Sequence, residues 1–168
     1  MRHRQRGLTL IELAVVLSLA ALTMTLALPA LGNWIARQQL QGALDDIRYG
    51  LTLARKAATT RQKRIWVEFG QNGGGWWMKI SEQENGPGCD PARDLRCLGS
   101  EQHAGISLSS SPPLPQRLAF SPLRGMPQDA SRQPLKQLDL HLARAGCRSA
   151  QLTLLATGLL VSTAGNCP

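Results

Sequence analysis

The chain of 168 residues reads as an α+β protein, with a long N-terminal α-helix, membrane-spanning in its first half, packed on a C-terminal antiparallel β-rich head. Three observations predict this. No charged residue falls between Leu13 and Ala36, a gap of 24 positions. Past that gap, apolar residues keep a helical period as far as Ala58. From Arg64 on, the pattern becomes that of short strands separated by Pro-, Gly- and Ser-rich turns. Composition excludes the main alternatives. With 43% hydrophobic residues the chain is too apolar to be disordered, and ten prolines, sixteen glycines and four cysteines are too few for collagen or a disulfide-dense miniprotein.

The first seven residues, MRHRQRG, carry Arg2, Arg4 and Arg6, a basic flank that stays cytoplasmic under the positive-inside rule. The uncharged run that follows is roughly 36 Å long as a helix, against the ~30 Å hydrocarbon core of a bilayer. Residues from Asn33 onward are therefore expected outside the cytoplasm. An ordinary signal-peptide cleavage site is only weakly signalled after Ala30, where Leu31, Gly32, Asn33 and Trp34 follow. Glu12 is the anomaly, an ionisable group at the start of an apolar run, where burial costs on the order of 2.5–3.5 kcal/mol. It either snorkels to the interface or has a partner.

The segment Gly7-Leu8-Thr9-Leu10-Ile11-Glu12-Leu13, behind its basic leader, resembles the class III signal of type IV pilins and type II secretion pseudopilins. The resemblance implies that prepilin peptidase cuts between Gly7 and Leu8 and that Leu8 is then N-methylated. Glu12 becomes the fifth mature residue, where the family keeps a glutamate, and Pro29 the twenty-second, where it has a helix-kinking proline. Leu8 departs from the phenylalanine commonest at that position. In this reading the Glu12 carboxylate neutralises the new α-ammonium of a neighbouring subunit, since neither charge is tolerable alone in low dielectric.

The helix continues beyond Pro29 and Gly32, which should bend or loosen it. Leu40, Leu44, Ile47, Leu51, Ala54 and Ala58 recur at steps of 4, 3, 4, 3 and 4, so one helix is expected from about Leu8 to Thr60. Gly42 and Gly50 weaken it by about 1 kcal/mol each relative to alanine. Strands are expected over Arg64 to Phe69 and Trp76 to Ile80, joined by Asn72-Gly73-Gly74-Gly75, then over Gly105 to Ser109, Arg117 to Ser121, Leu138 to Leu142, Gln151 to Ala156 and Leu159 to Thr163. The helix end Arg55-Lys56-Ala57, the Trp66-Val67 strand, the Phe120 to Gly125 segment and the Thr157-Gly158 hairpin resemble the GspH/FimT group within the pilin family. The implied division is leader 1–7, membrane or filament-core helix 8–32, amphipathic helix 33–62 and β-rich periplasmic head 63–168.

Cys89, Cys97, Cys147 and Cys167 all follow the apolar segment, on the side where disulfides persist. Three pairings are open, and local closure favours Cys89 with Cys97 and Cys147 with Cys167. No C-x-x-C pair or paired histidines accompany them, so neither metal nor other cofactor is expected. Without the leader the net charge is +5. Residues 34–64 carry seven basic against two acidic groups, while residues 65–168 hold nine against eight. Arg55, Lys56, Arg61, Lys63 and Arg64 are candidate contacts to phosphates of DNA or lipid if exposed together. DNA binding is the lesser reading, because the Gly-Arg-x-Arg motif of some FimT-like members is replaced here by Gly158-Leu159-Leu160-Val161, leaving Arg144 and Arg148 nearby as substitutes.

No G-x-S-x-G, phosphate loop or H-E-x-x-H occurs, His141 is expected to face solvent from a strand, and Ser107 to Ser111 reads as polar loop, so no enzyme is expected. The function implied is assembly, as a minor subunit at the tip or in the priming complex of a type IV pilus of the FimT/FimU kind, or as the H-type minor pseudopilin of type II secretion. The implied partners are prepilin peptidase, other minor and major pilins or pseudopilins, and the inner-membrane assembly platform, with nucleic acid a further candidate. The implied location is the bacterial inner membrane, then a pilus or pseudopilus.

Overall fold

The computed structural model describes residues 9–84 and 89–167, without the side chains of residues 26–30. The chain divides into two compact units, Met1–Ile35 and Ala36–Pro168. One helix, α1, runs over Leu10–Arg61. Thr9 caps it: its Oγ1 accepts from the Glu12 amide at 3.3 Å and its carbonyl from the Leu13 amide at 3.2 Å, satisfying donors that a helix start otherwise leaves unpaired. At the other end Gln62 turns into the left-handed region, φ 52°, and stops the helix.

Nine strands follow: β1 Ile65–Asn72, β2 Gly75–Ser81, β3 Arg96–Gly99, β4 Ile106–Ser111, β5 Gln116–Phe120, β6 Pro127–Asp129, β7 Gln137–Arg144, β8 Ala150–Leu155 and β9 Leu160–Thr163. They form two antiparallel sheets, ordered β3-β2-β1-β5-β6 and β4-β7-β8-β9. The β1–β2 hairpin turns on Gly73 and Gly74, with φ of 54° and 93°. Two successive positive φ values make the tight turn whose twist suits a hairpin.

In the second unit, Leu40, Ala43, Leu44, Ile47, Leu51, Ala54 and Ala58 of α1 join the inward residues of both sheets in a single core. Ile65, Val67 and Phe69 enter from β1, and the alternating Leu138, Leu140 and Leu142 from β7. Gly50 has a packing reason to be glycine: a Cβ there would lie 3.0 Å from Met78 Cε and 3.2 Å from Ile80 Cδ1. The small helix residue lets β2 approach.

The structure departs from the sequence expectations at several points. The strand expected over Gly105 to Ser109 is β4 and runs on to Ser111, so Ser107 to Ser111, also read as polar loop, is strand, with Ile106 and Leu108 turned into the core. The strands β3 and β6 were not expected; they are four and three residues long and contain Cys97 and Pro127. Among the described residues no helix is long and apolar enough to cross a membrane. The expected span over residues 8–32 includes Leu8 and residues 26–30, which lie outside those whose side chains are described.

Candidate assembly interface

The first unit presents apolar side chains on every side of α1. Leu10, Ile11, Leu13, Val15, Val16, Leu17, Leu19, Leu22 and Met24 are all exposed, Leu10 by 86%. A helix apolar all round is built for an apolar surrounding, either lipid or other helices. Within this surface Glu12 is exposed, and among the described residues none pairs with its carboxylate. Its backbone amide serves the Thr9 cap. Thr-x-x-Glu is a capping-box pattern, a local signal that places Thr9 at the helix start. The Gly7–Leu8 cut and the Leu8 methylation lie outside the described residues. Pro29 falls within α1, with its side chain outside them.

The five cations singled out near the end of α1 do not form one free patch. Arg55 Nη1 donates to the Gly158 carbonyl at 3.0 Å, with its stem against Gly125. Arg61 and Lys63 both pair with Glu82, Lys63 at 3.1 Å, and these bonds, Arg61 foremost, hold the Glu82 carboxyl below its ordinary range. Arg64 donates to Gln128 Oε1 at 3.1 Å and lies over the Trp66 ring. Lys56 is exposed. The helix end thus spends its charge on tying down the head.

Arg55 explains why three separate sequence features meet. Gly125 and Gly158 have φ of 60° and 79°, and a Cβ at either would fall within 2.9–3.1 Å of the Arg55 side chain. The helix end, the Phe120–Gly125 turn and the Thr157–Gly158 hairpin are therefore one junction, with Arg55 threaded between two left-handed glycines. The hairpin leads into β9, an uncharged edge strand in which Val161 is exposed, as is Leu159 just before it. An edge of this kind is open to pairing with another chain.

Disulfides join Cys89 to Cys97 and Cys147 to Cys167. Cys89, Cys97 and Asp94 are the described group with metal-ligand proximity, and both sulfurs are committed to the disulfide. Beside it, the Ala92 amide and then Arg93 keep the Asp90 carboxyl below its ordinary range. On the outer face of β1, Glu68 bridges strands, with Lys79 Nζ at 3.1 Å and Arg117 Nε at 3.0 Å. Lys79 is buried to 1% exposure, and the desolvation cost of burying these charges offsets much of their mutual attraction. His141 is half-buried on the side of β7 away from its leucines, and His103 stacks on Trp76 with its Nε2 3.2 Å from Asp46.

An apolar, acid-bearing helical segment, followed in the chain by a stapled antiparallel head, is the pattern of a pilin-like subunit. A family model described as the prokaryotic N-terminal methylation motif matches residues 2–28, and one described as type II transport protein GspH matches residues 43–158. The chain belongs to the GspH family, the GspH/FimT-like branch of the type IV pilins. Two solved structures of the type IV minor pilin FimU from Pseudomonas aeruginosa share the fold. One matches with a TM-score of 0.56 at 17% identity over 76% of this chain and 90% of that one, and the other with 0.53 at 16% over 74% and 92%. No curated protein matches the chain.

Proposed function

We propose that the chain is a minor subunit of a type IV pilus, acting at the tip or in the priming complex. The observation that carries this reading is the first half of α1, apolar on all sides yet holding an exposed Glu12 whose carboxylate has no partner among the described residues. Prepilin peptidase cuts after Gly7, and residues 8–32 rest in the inner membrane with the leader cytoplasmic and the head, residues 63–168, periplasmic. The inner-membrane platform then lifts the helix into the filament core, where the Glu12 carboxylate meets the methylated α-ammonium of a neighbouring Leu8. Residues 33–62 carry the head. The likeness of the fold to FimU supports the pilus.

A second reading has an observation of its own: the matching family model is described as a type II transport protein, which fits a minor pseudopilin of type II secretion. A deletion strain separates the two. Loss of surface pili with normal secretion is expected; intact pili with exoproteins trapped in the periplasm would make the protein a pseudopilin. Glu12→Gln is expected to be processed normally and to enter filaments poorly, and normal incorporation would sink the pairing mechanism.

A further inference from the structure

We infer that the pole of the second unit at which α1 enters it, built from Arg37, Arg144 and Arg148, binds the phosphates of anionic lipid headgroups. Three segments meet there: the start of this unit at residues 36–41, the turn at 144–149 and the tail at 164–167. Arg37 donates to Asn166 Oδ1 and Arg144 Nη1 to Gln39 Oε1. The Arg148 amide donates to the Asn166 carbonyl at 2.8 Å, and the Cys147–Cys167 disulfide clamps the turn to the tail. Gly165 permits this packing, since a Cβ there would lie 2.5 Å from both the Arg148 carbonyl oxygen and Leu40 Cδ2.

The pole gathers three arginines, Arg37, Arg144 and Arg148, without a carboxylate partner among the described residues. Among the described residues of the head, six cations are matched to carboxylates, Arg61 and Lys63 to Glu82, Arg93 to Asp90, Arg96 to Asp46, and Lys79 and Arg117 to Glu68, while Arg64 is held by Gln128 and Arg55 by the Gly158 carbonyl. At the pole, two arginines are oriented by neutral amides, which fix a guanidinium without cancelling its charge. No Asp or Glu occurs in residues 36–44, 143–149 or 164–167. The next acid along α1, Asp45, accepts from Gln41. Guanidinium forks match phosphate oxygens, and basic side chains close to an anionic membrane surface are drawn to it over about a Debye length. Arg37 comes two residues after Ile35 in sequence, where the apolar stretch ends. The inference rests on the reading of residues 8–32 as the membrane segment, and it gives the head a defined seat on the lipid before assembly.

The test uses the full chain in vesicles of phosphatidylcholine alone or with about one-third phosphatidylglycerol, reading arginine modification by phenylglyoxal residue by residue. In the anionic vesicles, Arg37, Arg144 and Arg148 are expected to react roughly tenfold more slowly. About 0.5 M salt should restore their rates, and exposed Arg132 should be unaffected throughout. Equal rates in both vesicles would overturn the inference and leave the membrane reading standing. Equal protection by inorganic phosphate in neutral vesicles would assign the pole to soluble anions and overturn the lipid source. Failure of the chain to float with either vesicle would overturn the membrane reading and this inference with it.

Discussion

Arg55 shows how one side chain can organise a junction. Its guanidinium satisfies the Gly158 carbonyl while its stem fills the space that Gly125 leaves open. Arg55→Met keeps the stem and removes the donor, so the expected cost is about 1–2 kcal/mol, read as a fall in Tm of about 3–6 °C. A second residue-scale effect is electrostatic. Asp139 on β7 accepts from Thr153 Oγ1 at 2.6 Å on β8 and from Gln137, and these bonds, Thr153 first, lower its pKa below the ordinary 3.8. A lowered folded pKa means that the stabilisation is complete above the ordinary value and is lost as the pH falls through the folded one. Asp139→Asn is therefore expected to flatten the acid limb of a stability profile below pH 3.8, and an unchanged limb in denaturant titrations would refute the assignment.

At the scale of elements, the C-terminal tail is held by a covalent clamp and not by a ladder. Beyond β9, residues 164–167 carry no strand, and the Cys147–Cys167 bond spans a sequence separation of 20. Replacing both cysteines by alanine is expected to cost about 2–4 kcal/mol, and hydrogen exchange should rise first in the tail and the 144–149 turn. Retained stability and protection would mean that the Gly165 packing suffices alone. The element pattern was mostly legible beforehand, because the core strands alternate and the helix keeps its period over Leu40–Ala58. β3 and β6 were not legible. Each owes its strand conformation to a neighbour, β2 and β5 respectively, and so short a segment has no periodicity of its own to read.

For the whole molecule, the contrast between its two units governs behaviour in solution. The first exposes the apolar side chains of Leu10 to Met24, whereas the second closes its own core. A chain beginning at Ala36 is expected to stay monomeric in plain buffer, while the full chain self-associates unless given detergent or lipid; sedimentation checks both. A full chain that remained monomeric without detergent would contradict the filament-core role of α1.

The N-terminal signal, the apolar segment and the helical face were readable from the chain because each is written in local order: a charge gap, a fixed spacing from Gly7 to Glu12 and Pro29, a repeat of three and four. The family followed from those local marks. Pairing of charges across the fold was not readable in that way. Whether Arg61 and Lys63 formed a phosphate patch depended on Glu82, about 20 residues away, and the partners of Arg37 and Arg144 are amides more than a hundred residues off. Local order carries secondary structure and processing signals, but electrostatic partners and the junction around Arg55 arise from chain segments that only tertiary packing brings within a few ångströms.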